Sequence, residues 1–161
     1  MYKKIMVPLD GSKLAESVFP HLETVTKGCK ARPEVIVVQA VEPISVPVGQ
    51  ELSQLSSIED VKKFETHLKT DADRYLAGVV GRLEASGVKA RAEVVYGKAA
   101  GALIEFAAKN SVDLIVMATH GRTGISRWMM GSVADRLIRS AGVPVLMVRV
   151  LGSAAPPVNV K

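Results

Sequence analysis

The residues best suited to chemistry in this chain lie between Asp113 and Val133 (DLIVMATHGRTGISRWMMGSV). Gly121 and Gly124 stand among His120, Arg122, Thr123 and Arg127, and Gly131 precedes Ser132. Glycine lets a backbone approach a phosphate and take positive φ without strain. From Met130 onward, apolar residues recur at Val133, Ala134, Leu137, Ile138 and Ala141, the spacing of a helix face. A helix starting there offers amides with no partner inside the helix, where the aligned peptide dipoles place roughly half a positive charge. The chemistry implied is the binding of a polyphosphate. The Ser132 hydroxyl and nearby amides, that of Val133 included, would hold phosphate oxygens, with Arg122 and Arg127 screening charge. The competing reading is plainer: glycines that turn the chain, a serine that starts a helix, arginines that form a solvated loop.

Other reactive types are less promising. His120 has no evident acidic partner, so no general base is assigned and no catalytic residue is named. His21 and His67 lack the His-x3-His or HExxH spacing of a metal site, and no metal ligand is assigned. Trp128, the single tryptophan, forms an apolar stretch with Met129 and Met130 that suits packing over the site or a subunit contact. Cys29 is the sole cysteine, which excludes a disulfide framework, a cysteine zinc cluster and a CxxC redox motif.

Several elements must position these groups. Leu114-Ile115-Val116-Met117 is the continuous apolar run of a strand buried on both faces, and a loop opens from His120. Lys3–Leu9 (KKIMVPL) reads as a buried strand, Asp10-Gly11-Ser12 as a turn, and residues 13–27 as a helix capped by Ser12 and kinked or weakened by Pro20. Glu34–Val41 (EVIVVQAV) is a second strand, and Glu42–Ser57 a long loop. A long helix runs from Ile58 to about Ser86 and ends at Gly87; Val88–Tyr96 alternates as an edge strand does. A helix to about Asn110 follows the turn at Gly97, and Pro144–Val150 (PVLMVRV) is the last strand. This alternation predicts an α/β fold with a doubly wound parallel sheet and right-handed crossovers. Ligands in such sheets sit beyond the carboxyl ends of strands where the winding reverses.

Composition sets the limits. The 161 residues suffice for one domain, expected over residues 1–150, that buries about 70% of its unfolded-chain surface. The tail Leu151–Lys161 (LGSAAPPVNVK) is expected to be flexible. Aromatics make up 4% of the chain, so the core should be aliphatic. The net charge of +5 favours anionic ligands, but without a Lys/Arg block or basic patch interleaved with aromatics it gives no case for nucleic acid. No apolar run approaches the ~18 residues of a membrane span, and the start lacks a signal-peptide layout, so a cytoplasmic protein is expected.

Met117-Ala118-Thr119-His120-Gly121-Arg122-Thr123-Gly124, Gly131-Ser132-Val133 and Gly142–Val148, together with Lys4–Ser12, closely resemble the universal stress protein family over roughly residues 2–150. ATP-binding members carry Gly, two residues, Gly, nine residues, Gly and Ser or Thr. Gly121, the nine residues 122–130, Gly131 and Ser132 fit, while Ala118 holds the first glycine position. The resemblance implies a Rossmann-like, adenine nucleotide alpha hydrolase-like sheet of five parallel strands in the order 3-2-1-4-5. The winding then reverses between the first and fourth strands, which lead into Pro8–Ser12 and residues 118–127. It further implies that Asp10 accepts from a ribose hydroxyl, against the alternative of an Asx-turn or helix cap. Ala40 and Val41 match the segment whose backbone contacts adenine, and Met117 would line the nucleotide or pack in the core.

The cofactor implied is ATP, with ADP or AMP as alternatives and Mg²⁺ or Mn²⁺ as companion. The partner implied is a second copy, through the last strand. Function then reads as a nucleotide-binding regulatory or stress-response module, with slow ATP hydrolysis at most. The alternatives are a dimeric interaction protein of the same family that no longer binds nucleotide, and a true nucleotide-transforming enzyme. The last lacks any GxxxxGK[ST], GxGxxG, HxGH or SGGxDS motif.

Overall fold

The computed structural model describes residues 2–43, 58–121 and 131–151. In chain order these form β1 (Lys4–Pro8), α1 (Lys13–Glu16), α2 (Phe19–Gly28), β2 (Glu34–Val41), α3 (Ile58–Ala85), β3 (Ala90–Tyr96), α4 (Ala99–Lys109), β4 (Leu114–Gly121), α5 (Ser132–Ser140) and β5 (Val145–Leu151). The strands make one parallel sheet in the order β3-β2-β1-β4-β5. That is the five-stranded, Rossmann-like architecture the resemblance implies.

Successive side chains of a strand point to opposite faces, and here both faces are covered, so the inner strands read as unbroken apolar runs. On one face Ile5, Val7, Val35, Val37, Leu114 and Val116 pack with Leu22 of α2 and Leu76, Val79 and Leu83 of α3. On the other Met6, Ile36, Val38, Ile115 and Met117 pack with Leu103 and Ala107 of α4 and Ala134 and Leu137 of α5. The described buried core holds no aromatic side chain, as the composition leads one to expect.

Two elements differ from the sequence expectation. The helix expected over residues 13–27 is two helices, broken at Ser17-Val18. Pro20 does not kink a continuous helix but sits in the first turn of α2, where its missing N–H would have lacked a partner anyway. β4 runs four residues past Met117 to Gly121 and so takes in His120 and Gly121, which the sequence places in the loop. Pairing with β5 carries it on: Ala118, Thr119, His120 and Gly121 are in register with Val148, Arg149, Val150 and Leu151.

Three glycine positions match their expected turns. Gly87 has φ +84 after α3, where the Val88 N–H bonds back to the Leu83 carbonyl at 3.0 Å. Gly97 has φ +124 ahead of α4, and Gly11 has φ +82 after β1. The loop expected over Glu42–Ser57 lies outside the described residues beyond Pro43, as does the tail beyond Leu151.

Candidate functional site

β1 and β4 are joined at one end and parted at the other. Asp113 closes the joined end: its Oδ2 accepts from Lys3 N–H at 2.8 Å and its Oδ1 from Lys4 N–H at 3.3 Å, while its own N–H donates to the Lys4 carbonyl at 3.0 Å. Pairing then covers only Ile5 with Leu114 and Met6 with Ile115, although both strands continue. By contrast β1 pairs with β2 over its whole length, Lys4 to Pro8.

Proline accounts for the asymmetry. Lys4 turns its peptide groups toward β4, and Leu9 turns its N–H to the Val38 carbonyl of β2 at 2.8 Å. Alternation along the strand therefore directs position 8 toward β4, and Pro8 has no N–H to give there. The ladder stops where the next donor is missing. Pro8 and Met117-Ala118 flank the resulting crevice at the carboxyl ends of the two strands, where the sheet reverses direction.

The turn after β1 forms one wall. Asp10 Oδ1 accepts from the Ser12 N–H at 2.9 Å, and Ser12 Oγ caps α1 by accepting from the Ala15 N–H at 3.1 Å. The Asx-turn reading of Asp10 thus holds. Its side chain is exposed, and Oδ2 has no hydrogen-bond partner among the described residues, so one oxygen stays available to a ligand hydroxyl. Gly11 fits its positive φ, which a side chain would strain.

The start of α5 carries the other candidate residues. Its N-cap is Gly131, with no side-chain cap hydrogen bond, so the first-turn amides of Ser132 and Val133 receive no capping oxygen from the described residues. Gly131 and Ser132 are exposed and Val133 is half-buried. Among the described residues a Cβ at Gly131 would meet nothing within 4 Å, and its φ of −55 is open to any residue. An exposed helix start with no side-chain cap among the described residues can accept a phosphate group. Asp135 in the first turn opposes an anion, and Arg139 counters it by donating to Asp135 Oδ1 at 2.9 Å.

The remaining expected residues divide by environment. Met117 is 7% exposed and its side chain belongs to the α4–α5 face of the core. Ala118 is half-buried and packs against the α2–α3 face. Ala40 is half-buried near the carboxyl end of β2, in register with Val95. Gly121 ends β4. Arg122, Arg127 and Trp128 lie outside the described residues.

Three features escaped sequence reasoning. The Gln39 Oε1 is buried without a partner among the described residues, one residue beyond Val38, and its signal was a polar residue interrupting the apolar run EVIVVQAV. Glu42, just past β2, accepts from the Ala99 N–H at 3.0 Å and so caps α4 from a distance no local pattern reveals. Glu16 of α1 and Arg82 of α3 form an ion pair at 2.9 Å, with the guanidinium 5.7 Å above the Phe19 ring. The Arg82 hydrogen bond holds the Glu16 carboxyl below its usual range. Burial first, then the nearby Glu16 carboxylate, push the Tyr75 phenol up, although its hydroxyl does not reach hydrogen-bonding geometry. Through this pairing the short α1, and with it the Asp10–Ser12 turn, is tied to the long α3. Among the described residues no group of three or more His, Cys, Asp or Glu could hold a metal, and no helix is long and apolar enough to cross a membrane.

Comparison with known proteins agrees with this architecture. The universal stress protein family model matches residues 1–149. The chain is 35% identical over 150 residues to universal stress protein MJ0531 of Methanocaldococcus jannaschii, spanning 92% of this chain and 83% of that one. Among solved structures, protein MJ0577 of the same archaeon superposes with a TM-score of 0.74 at 26% identity, over 95% of this chain and 99% of that one. A universal stress protein solved in complex with cAMP superposes with a TM-score of 0.66 at 24% identity, over 91% and 97% of the two chains, a likeness of fold. With a parallel sheet in the order β3-β2-β1-β4-β5 and family similarity over nearly its whole length, the chain belongs to the universal stress protein family.

Proposed function

We propose that this protein is a cytoplasmic regulatory module of the stress response that binds an adenine nucleotide, ATP foremost, and acts through nucleotide-dependent conformation or partner binding. The observation that carries the reading is the crevice opened by Pro8 between β1 and β4, with Asp10 beside it and the start of α5 in the same chain region as the family's phosphate motif. Asp10 Oδ2 accepts from a ribose hydroxyl; the backbone at Ala40 meets adenine; Gly121, Arg122, Gly131, Ser132 and Val133 receive the phosphates, with Mg²⁺ or Mn²⁺ balancing their charge. ADP and AMP are the alternative occupants, and the cAMP-bound neighbour of the same fold makes an adenine nucleotide the natural class to test. Residues 1–150 act as one domain, and two copies associate through Pro144–Val150, whose strand β5 is an edge of the sheet.

The test is calorimetric titration with ATP and magnesium, paired with mass spectrometry of the denatured protein for carried nucleotide. Saturable heat, or ATP, ADP or AMP released on denaturation, is the expected result. Absence of both removes the proposal and leaves the interaction-only reading. The Ala118 methyl, half-buried beside the crevice, is the feature that favours that second reading.

A further inference from the structure

The amino ends of β2 and β3, at the opposite end of the sheet from the crevice, border a cleft of about 430 Å³. It is walled by the end of α2, the connection from Cys29 to Pro33 and the turn from Ser86 to Lys89. Four cations line it, Lys27, Lys30, Arg32 and Lys89, and among the described residues no carboxylate does. Two of the four have structural work. Lys27 lies in the last turn of α2, where a cation complements the helix dipole, and pairs with Glu23 at 3.1 Å; Lys89 lies 3.8 Å from Glu34. Lys30 and Arg32 have neither function: both follow the helix, and among the described residues neither forms a salt bridge. Arg32 also holds φ +44, a conformation that a side chain like arginine seldom adopts.

We infer that this cleft binds a small, multiply charged anion carrying two or more phosphate or carboxylate groups, independently of the crevice at the other end of the sheet. Its size falls within the range of roughly 300–1,000 Å³ that small-molecule sites occupy. Lys27 and Lys89 are already paired with Glu23 and Glu34, so the attraction for a polyanion rests on Lys30 and Arg32, whose charge is available for direct contact. Arginine adds a planar fork that can grip a phosphate or carboxylate through two N–H donors.

The chain carries its own reporter, because Cys29 is the only cysteine and lines the cleft. The experiment follows alkylation of Cys29 by iodoacetamide, a neutral reagent, in the full chain, with ionic strength fixed by potassium chloride. Pyrophosphate and citrate are titrated separately. Saturable slowing by pyrophosphate alone identifies a phosphate site, and by citrate alone a carboxylate site; slowing by both identifies a general polyanion site. Removing two exposed cations together, Lys30→Gln with Arg32→Gln, should raise the half-protection concentration about tenfold. Arg32→Asn, which tolerates the positive φ, serves as a second variant and should raise it about threefold. Asp10→Ala, at the other end of the sheet, should leave it unchanged. Protection that chloride reproduces at equal ionic strength, that persists in the double variant, or that Asp10→Ala abolishes would overturn the inference.

Discussion

Pro8→Ala tests the origin of the crevice. The substitution supplies the N–H that β1 lacks toward β4, so a further rung can form beyond Met6 and Ile115. One added hydrogen bond contributes about 0.5–1.5 kcal/mol, and loss of the proline's restriction on the unfolded chain costs about 0.4–1 kcal/mol. The two nearly offset, so global stability should change by less than about 1 kcal/mol. The local effect is larger. A nucleotide entering between the strands must break the new rung, which weakens ATP binding about two- to tenfold. Native-state hydrogen exchange reads the new amide at position 8 directly, and calorimetry reads the affinity. A protected amide with weakened ATP binding is expected. An amide at position 8 that exchanges like an exposed one would refute the reasoning, because the strands would then part for a reason other than the missing donor.

Other substitutions probe the rest of the site. Asp10→Ala removes a charged acceptor and should weaken ATP binding about tenfold or more by calorimetry, while the Asx-turn it loses costs the fold about 1 kcal/mol or less. Gly131→Val should abolish ATP binding yet leave circular dichroism unchanged, since among the described residues the added Cβ meets nothing within 4 Å and φ is −55; wild-type affinity in that variant removes the phosphate cradle. Ala118→Gly should destabilise the strand by about 0.5–1 kcal/mol in denaturant unfolding and tighten ATP binding, and weaker binding would show that the methyl does not hinder. Glu16→Gln tests the tie between α1 and α3 by unfolding across pH. The Glu16 carboxyl is lowered in the folded chain from its ordinary 4.5, so the pair's contribution is full above that value and lost as pH falls through the lowered folded value. Wild type and variant should differ by about 1 kcal/mol or less near neutrality and converge in acid, a largely exposed guanidinium limiting the gain.

The fold was legible because its signals are local and repeated. EVIVVQAV and LIVM announce strands covered on both faces, and the sheet places α2 and α3 on one side and α4 and α5 on the other. Gly87 and Gly97 mark ends and turns through backbone geometry that side chains resist. Strand order came from family resemblance, since periodicity says nothing about which strands are neighbours. The extent of β4 was misread for a related reason. Ala118-Thr119-His120-Gly121 carries no strand pattern of its own and is strand because β5 pairs with it. The break between α1 and α2 was half legible: Pro20 signalled an interruption, and only the structure shows it as a beginning.

The site was legible as a set of residue types and not as a geometry. Asp10, Gly131 and Ser132 could be named as candidates through the family resemblance, but the crevice depends on an absence, an N–H that Pro8 does not have, at a position whose direction is fixed by the pairing of Lys4 with Asp113, more than a hundred residues away. No window along the chain contains that relation. The electrostatics of α5 are a different case, because Asp135 and Arg139 stand four residues apart within one short window. Asp135 sits in the first turn and works against an anion there, and its pairing with Arg139 relieves the opposition. An exposed pair of this kind contributes little to stability, about 1 kcal/mol or less, yet it bears on how positive the helix start remains. The sequence motif and the folded environment therefore make different demands on α5: the motif asks only for Gly131 and Ser132, and the environment asks also that Asp135 be kept occupied.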